Sequence, residues 1–319
     1  IHAVAYCLGV ERLAGVEAPP RAQVIRELVA ELERIHSHML WVGVAAHEAG
    51  FDTLFMLSWR DRETVMNLLE GITGNRVNYS ANVLGGVKCD IDNKKADAIR
   101  TGIDYLEKRL QHYLDVVTND ITFLRRTRGI AVMSPDRVEH LGVVGTTARA
   151  SGVARDIRVD APYAAYSQFP VELVTETAGD LEARFVVRIR ELFETFSVIR
   201  NILDHMPEGE LTARMPRRIK AGETISRVEA PRGELLYFIK SNGSDVAERV
   251  KVRTPTLPNM ASVLSLSIGA QLADVPMILT GIDPCFSCND RMITINDARK
   301  GTTLWTWDDL RQYGIEYYK

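Results

Sequence analysis

The sequence has few cysteines, no long apolar run and no excess of positive charge. Its 319 residues include only Cys7, Cys89, Cys285 and Cys288, which do not form the pattern of a disulfide framework in a chain of this length. No apolar run is long enough to span a bilayer, and no secretory signal is recognisable. The net charge of −3 predicts no nucleic acid partner. A reducing cytosolic setting fits these absences.

The composition is that of an ordinary globular protein. Hydrophobic residues make up 46% and charged residues 25% of the chain, enough for a substantial core. We expect a single domain over residues 1–319, with residues 292–319 as a C-terminal tail. The apolar, helix-like segment from Ile1 to Glu11 begins without Met, cap or lead-in. This beginning predicts that the sequence is truncated at its N-terminus.

Apolar residues at three- and four-residue spacing predict several helices that pack in a bundle. The first long helix follows Pro20 and stops near Gly50, and a shorter one ends at Gly74. The patterns are Leu28–Met39, Arg60–Thr73, Ala96–Val117, Leu181–Met206 and Asn259–Ala273.

A small β region interrupts the helical pattern after Pro207. Glu234–Lys240 and Val246–Arg253 flank Asn242-Gly243, which is typical of a β-hairpin. The short apolar run Val275–Asp283 predicts a buried strand that ends just before Cys285. The irregular segment 128–179 is long enough to suggest a functional loop. The fold class predicted is therefore mainly α (α+β): a bundle of long helices with a small β-hairpin or sheet region.

Cys285 and Cys288 are two residues apart and can direct two thiolates at one centre. Thiolates suit nickel, iron, zinc or copper(I). A structural zinc site needs two more ligands, which Cys7 and Cys89 supply poorly because they are single and far apart. A thioredoxin-like redox pair needs a βαβ unit, and none is visible. The pair read alone is also compatible with two buried cysteines that have no chemical role.

Two arginines lie at the ends of the predicted hairpin. Arg232 precedes it in Glu229–Gly233, and Arg253 ends it before Thr254 and Pro255. A guanidinium keeps its proton and hydrogen-bonds anionic or diatomic ligands. The alternative for either arginine is a surface ion pair of little energetic value.

Taken together, these segments resemble the large subunit of nickel–iron hydrogenases. The resemblance is strongest to the energy-converting membrane-bound group, which is similar to the formate hydrogenlyase large subunit and the complex I 49 kDa-type subunit. It runs from residue 1 to about residue 295, and its motifs are specific in order and spacing. The matching pieces are Glu11, Glu31–His38, Asn75–Ser80, Gly85–Val87, Gly142–Gly145, Ala148–Gly152, Gly179–Arg184, Ala230–Gly233, Arg253–Thr256 and Asp283–Cys288.

The resemblance implies a Ni–Fe(CN)2(CO) centre. Cys285 and Cys288 would bind nickel, and Cys288 would also bridge to the iron. Two further thiolates would come from a Cys-x-x-Cys motif directly before His2, in the segment expected upstream. Arg253, Thr254 and Pro255 are expected to line the cofactor, because their motif matches that of the family.

The resemblance also implies an acid–base group. Arg232 is expected over the open metal position as a base, with Asp283 as its carboxylate partner. Cys285 is the competing proton acceptor. His38 and Glu48 match positions that flank the quinone cavity and proton route of complex I relatives, so both are candidate proton-path residues. For His38 the alternative is a core histidine with a satisfied hydrogen bond.

Partners follow from the resemblance as well. No cysteines remain to hold an iron–sulfur cluster, so a small subunit with a [4Fe-4S] cluster is expected, together with a ferredoxin-like subunit, integral membrane subunits and ferredoxin as electron partner. The subunit would be peripheral, on the cytoplasmic face of the cell membrane. Arg291 replaces a histidine of classical uptake hydrogenases, which argues against a histidine-bound magnesium.

Two alternatives stay open. The complex I-type relatives lack the cysteine pair, so the pair favours a hydrogenase. A complex I-like subunit that reduces quinone or sulfur without hydrogenase activity is the alternative function, and a non-enzymatic scaffold is the third possibility.

Overall fold

The computed structural model describes residues 1–289, 296–297, 301–302 and 306–317. Contacts divide the chain into two units, Ile1–Pro284 and Cys285–Lys319. The single domain expected over residues 1–319 stays a prediction. Arg291 and much of the tail expected after it lie outside the described residues.

The first unit is mainly helical, with two small antiparallel sheets. A single turn of 3-10 helix, Leu272–Asp274, precedes its last helix. Its helices are α1 His2–Ala14, α2 Pro20–Glu48, α3 Asp52–Thr73, α4 Asn93–Asn119, α5 Ile121–Thr127, α6 Pro135–Leu141, α7 Thr146–Arg149, α8 Ile157–Asp160, α9 Leu181–Asp204, α10 Thr256–Ser267 and α11 Val275–Gly281, and its strands are β1 Asn82–Val83, β2 Gly86–Val87, β3 Gly222–Ala230, β4 Gly233–Ser241 and β5 Ala247–Arg253.

The long helices α2, α3, α4 and α9 form the bundle that the apolar spacing predicts. Local signals fix their ends: Pro20 opens α2, and the Asp92 and Asp180 side chains accept hydrogen bonds from backbone N–H groups in the first turns of α4 and α9. Gly74 ends α3 in a left-handed conformation. The core that joins them is fully buried and includes Leu28, Ile35, Ile103, Leu110, Phe185, Leu192 and Phe196.

A three-stranded sheet carries the β region. The strand order is β3-β4-β5, all antiparallel, so the predicted hairpin around Asn242-Gly243 is present as β4 and β5. The sequence pattern missed β3. Pairing of Ala230 with Gly233 makes Pro231-Arg232 the two-residue turn of a second hairpin, β3–β4.

The strand predicted at Val275–Asp283 is wrong, because most of this run is the helix α11. A short apolar run fits a buried helix as well as a buried strand, and Pro276 in the first turn favours the helix. The indole Nε1 of Trp41 on α2 donates to the Thr280 carbonyl at 2.7 Å. The helix predicted at Asn259–Ala273 begins earlier and ends at Ser267. In the irregular segment 128–179 the structure places the short helices α6, α7 and α8.

The second unit contains the helices α12, Phe286–Asn289, and α13, Trp307–Tyr317. The strands β6, Asn296–Asp297, and β7, Gly301–Thr302, pair antiparallel. No described helix of either unit combines the length and the apolar character needed to cross a bilayer.

Candidate functional site

Arg232 lies in the turn between β3 and β4, and its guanidinium links three parts of the first unit. Nη2 lies 2.8 Å from the Asp283 Oδ1, and Nε donates to the Asp283 carbonyl at 3.0 Å. Nη1 donates to the Ser37 hydroxyl on α2 at 3.2 Å. The ion pair between Arg232 and Asp283 is the one that the resemblance implies. Several donors in a rigid fork hold the guanidinium in one orientation.

A glycine loop supports this turn from behind. Gly145 has a φ of 71°, and a Cβ atom there would lie 2.3 Å from the Arg232 carbonyl oxygen and 2.4 Å from the Gly233 Cα. Asn259 of α10 fixes the same loop, because its Oδ1 accepts from the Val144 N–H at 2.9 Å. The Gly142–Gly145 motif therefore positions the backbone of Arg232.

Asp283 is buried and left partly unsatisfied. Its φ is 56°, in the left-handed region, and its Oδ2 has no hydrogen-bond partner in the described part of the chain. Buried polar atoms without partners are costly and mark sites that a ligand or water completes.

The Arg188 guanidinium stacks on the Trp41 ring at 3.8 Å. Burial lowers the pKa of Arg188 to about 10, against the raising effect of the Asp283 charge.

Cys285 and Cys288 belong to the second unit, on and just before α12. The Cys288 N–H donates to the Cys285 carbonyl at 3.1 Å, which places the two residues on one helical turn. Two thiolates so spaced fit a thiolate-bound nickel. Among the described residues no group of three or more His, Cys, Asp or Glu side chains is arranged to hold a metal ion. The pair offers two thiolates, and its metal-binding role stays a prediction.

The remaining cofactor-lining candidates are spread along the end of β5. The Arg253 guanidinium pairs with Glu234 on the neighbouring strand at 2.8 Å. Thr254 is buried, and Pro255 directly precedes α10. The cofactor-binding role of Arg253, Thr254 and Pro255 stays a prediction.

The two proton-path candidates on α2 have different surroundings. His38 is fully buried, and its Nε2 lies 2.9 Å from the Glu191 Oε2 on α9. Burial lowers the pKa of His38 to about 4, although Glu191 opposes this shift, so the imidazole is neutral at pH 7 and donates through Nε2. Its Nδ1 is buried and has no hydrogen-bond partner among the residues that the structure describes. Glu48 is exposed at the last residue of α2.

The sequence interpretation missed a buried ion-pair network around His38. Arg149 donates to Glu191 at 2.7 Å and to Glu229 at 2.8 Å, and Arg158 pairs with Asp156 at 2.8 Å. The signal of this network in the sequence is a set of polar and charged residues at helical spacing within an apolar pattern. They are Glu27, Glu31, Arg34 and His38 on α2 and Arg184, Arg188, Glu191 and Thr195 on α9. All eight are buried.

Comparison with known proteins identifies the family. The model of the family described as "Respiratory-chain NADH dehydrogenase, 49 Kd subunit" matches residues 48–221 and 216–291, more than half of the chain. The chain belongs to this family. The resemblance inferred from the motifs is thereby confirmed.

The relatives of the chain include hydrogenase subunits. The chain is 38% identical over 335 residues to the membrane-bound hydrogenase subunit alpha of Pyrococcus furiosus, covering 100% of this chain and 78% of that protein. It is 39% identical over 291 residues to the carbon monoxide-induced hydrogenase of Rhodospirillum rubrum, covering 91% and 81%. These relatives place the chain in an oxidoreductase family.

A solved structure shows the same fold. The structure of the membrane-bound sulfane sulfur reductase, an archaeal respiratory membrane complex, matches with a TM-score of 0.86 and 32% identity, over 90% of this chain and 80% of that chain. The predicted mainly α (α+β) fold with a small β region is confirmed.

Proposed function

We propose that the chain is the catalytic large subunit of a membrane-associated, energy-converting nickel–iron hydrogenase. The observation that carries this proposal is the Cys285–Cys288 pair on one helical turn of a chain that is similar to hydrogenase subunits along most of its length. The ion pair between the half-buried Arg232 and the buried Asp283 supports it.

The roles of the residues follow from their chemistry. A nickel–iron group, when bound, supplies Lewis acidity and electron transfer for the heterolytic cleavage of hydrogen. Cys285 and Cys288 would hold nickel as thiolates. The Arg232–Asp283 pair would be the acid–base group, with Asp283 fixing the guanidinium and Cys285 as the competing proton acceptor.

The partners proposed are those of an electron-transfer complex. Electrons leave to a small subunit in which cysteine thiolates hold a [4Fe-4S] cluster. The other proposed partners are a ferredoxin-like subunit, integral membrane subunits and ferredoxin, which is the electron partner. The similarity of the chain to a membrane-bound hydrogenase subunit and to a chain of a respiratory membrane complex supports this assembly. We place the subunit peripherally, on the cytoplasmic face.

A second candidate is a complex I-like subunit that reduces sulfur or quinone without hydrogenase activity. The similarity to a sulfane sulfur reductase and the NADH dehydrogenase family favour it.

Metal analysis of the purified complex separates the two candidates. A hydrogenase should contain about one nickel per subunit and show infrared bands of carbon monoxide and cyanide bound to iron. Cys288→Ser should lose both, whereas Cys89→Ser, which alters a cysteine outside the pair, should keep both. A wild-type complex that is free of nickel and of these bands, and that reduces sulfur or quinone instead, rejects the hydrogenase.

A further inference from the structure

A large cavity opens on the first unit near the Arg232 turn. Its volume is about 870 Å³. Exposed charged residues form its rim, and the buried carboxylates Asp156 and Glu229 lie at its floor. The rim residues used here are Glu139, Arg155, Asp160 and Arg227. Water and protons from the surface therefore have access to two otherwise buried carboxyl groups.

Glu229 connects this cavity to the interior through hydrogen bonds. Its Oε1 accepts from Arg149 Nη1 at 2.8 Å, and its Oε2 accepts from the Ile157 N–H at 3.2 Å. Arg149 Nε donates to Glu191 Oε1 at 2.7 Å, and Glu191 Oε2 accepts from His38. The network thus leads from the cavity floor to α2.

The inner end of the network reaches the surroundings of the Arg232–Asp283 pair. His38 directly follows Ser37, whose hydroxyl accepts a hydrogen bond from Arg232. The charge of Arg188 acts on both His38 and Asp283. Hydrogen bonds therefore connect Glu229 with His38, and the neighbouring residue Ser37 contacts Arg232.

The ion-paired cluster has an excess of negative charge. Ion pairs join the arginines Arg34, Arg149 and Arg158 to the carboxylates Glu31, Asp156, Glu191 and Glu229. With a neutral His38, the groups joined by these ion pairs are four carboxylates and three guanidiniums. Arg188, whose charge also acts on Glu191, is buried but stands outside these ion pairs. Since an uncompensated buried charge is costly, one proton on one carboxylate balances the charge within the ion pairs.

Glu229 is the carboxylate of this cluster best placed to hold that proton. Burial, and next the charge of Asp156, raise its pKa to about 7, while Arg149 lowers it. Glu31, Asp156 and Glu191 have lowered pKa values because their guanidinium partners outweigh the cost of burial. The groups that face Glu229 from the neighbouring elements are Arg34, Arg149, Asp156, Arg158, Tyr163 and Glu234.

We propose that Glu229 is a proton-transfer residue that exchanges protons between the cavity and the Arg232–Asp283 pair. This inference rests on the proposed hydrogenase function, in which each hydrogen molecule yields two electrons to the partner clusters and two protons to the protein. A proton moves from the site to the Glu229 carboxylate, and the carboxylic acid then releases it to water in the cavity. No other bond changes.

Arg149 is a positioning residue in this route. A guanidinium does not lose its proton, so Arg149 holds the carboxylates of Glu191 and Glu229 in place. Transfer past it needs a bridging group, and the buried, unpartnered Arg149 Nη2 and His38 Nδ1 atoms are suited to bind a water molecule.

The first test is an infrared titration of the purified complex with glutamate labelled by carbon-13 at the side-chain carboxyl. We expect a carboxylic acid signal that disappears as the pH rises through about 7. Glu229→Gln should remove it. Glu223→Gln, which alters an exposed carboxylate on the same strand, should keep it. A wild-type complex without such a signal overturns the proposal, even if no variant folds.

The second test is the exchange of hydrogen with deuterium from heavy water, measured from pH 6 to pH 8. The wild type should show a transition near pH 7. Glu229→Gln should exchange at least about 10-fold more slowly and lose the transition. Glu229→Asp should retain the transition at a reduced rate, and Glu223→Gln should stay within about twofold of the wild type.

A Glu229→Gln complex that keeps the wild-type rate and pH profile overturns the route. A wild-type complex that lacks nickel and catalyses no exchange contradicts the proposed hydrogenase function and not the role of Glu229. The infrared titration then decides alone whether Glu229 carries the proton.

Discussion

At the residue scale, the orientation of Arg232 depends on the number of its donors. Nε donates to the Asp283 carbonyl, Nη2 pairs with the Asp283 carboxylate, and Nη1 donates to the Ser37 hydroxyl. Because these contacts belong to α2 and to the end of the first unit, the guanidinium fixes the β3–β4 turn to both. A lysine ammonium keeps the charge but cannot reproduce this fork.

Arg232→Lys should therefore lower hydrogen turnover by about 10²-fold or more while leaving the nickel content near normal. Hydrogen-dependent acceptor reduction and metal analysis of the same preparation measure the two effects. Arg249→Lys, on the exposed face of β5, is the control and should match the wild type in both. Equal activity of Arg232→Lys and the wild type would reject the assigned role.

At the element scale, two contacts between backbone segments decide where the candidate site forms. The polar faces of α2 and α9 meet inside the bundle, where Thr195 Oγ1 donates to Glu31 at 2.8 Å and His38 contacts Glu191. The loop 142–145 packs directly on the Arg232–Gly233 backbone. A rigid bundle and a close backbone contact thus hold the turn, and small shifts between them would move Arg232.

Gly145→Ala should displace the Arg232 turn, because its Cβ atom would overlap the Arg232 carbonyl. We expect a loss of about 10²-fold in activity together with lower stability, since a misplacement near 1 Å has such an effect on catalysis. Gly142→Ala is a matched control: its φ is also positive, at 66°, but no atom lies within 4 Å of the added Cβ.

Gly142→Ala should lose roughly 1–2 kcal/mol of unfolding free energy from left-handed backbone strain. Gly145→Ala should lose more, because its φ of 71° and ψ of −149° lie in a region that is open almost only to glycine. Only Gly145→Ala should lose activity. Thermal unfolding and hydrogen turnover, measured on both variants, separate strain from displacement. Equal activity losses in the two would argue against a specific role for the loop contact.

At the scale of the whole molecule, buried carboxyl groups with pKa shifts of opposite direction set the pH range of stability. Burial raises the pKa of the Asp61 carboxyl group, but hydrogen bonds from Arg60, Tyr113 and Arg109 outweigh this effect and lower the pKa to about 2. Burial, with the charge of Glu31, raises the pKa of Glu27 to about 9. The contribution of Asp61 is lost as the pH falls from about 4 to about 2, and that of Glu27 is lost as the pH rises from about 4.5 to about 9.

Glu27→Gln should flatten the alkaline side of the stability profile. Between pH 5 and pH 9 the folded wild type holds a proton on Glu27 that the unfolded chain releases, so its unfolding free energy falls by about 1.4 kcal/mol per pH unit from this group. Glutamine is neutral throughout and removes this slope. Denaturant unfolding of the purified subunit at several pH values measures it.

The control for this experiment is Glu17→Gln, at an exposed position outside the helices. Its profile should follow that of the wild type. A Glu27→Gln profile that keeps the full wild-type slope would show that Glu27 is ionised in the folded protein.

The long helices, the hairpin at Asn242-Gly243 and the family could all be predicted from the sequence, because periodicity, caps and ordered motifs are local properties. The sequence also indicated Arg232, Asp283, Cys285 and Cys288 through their resemblance. It failed at Val275–Gly281, where a short apolar run fits either a strand or a helix and packing on α2 decides.

Which charged residues form ion pairs depends on long-range packing and could not be predicted from the sequence. Arg149, Glu191 and Glu229 are far apart in the chain, and each alone is an ordinary charged residue in a helix or strand. Their pairing depends on how α7, α9 and β3 pack, and burial turns that packing into shifted pKa values. Long-range contacts of this kind have no local sequence pattern, so the buried ion-pair network near the Arg232 turn forms only in the folded protein.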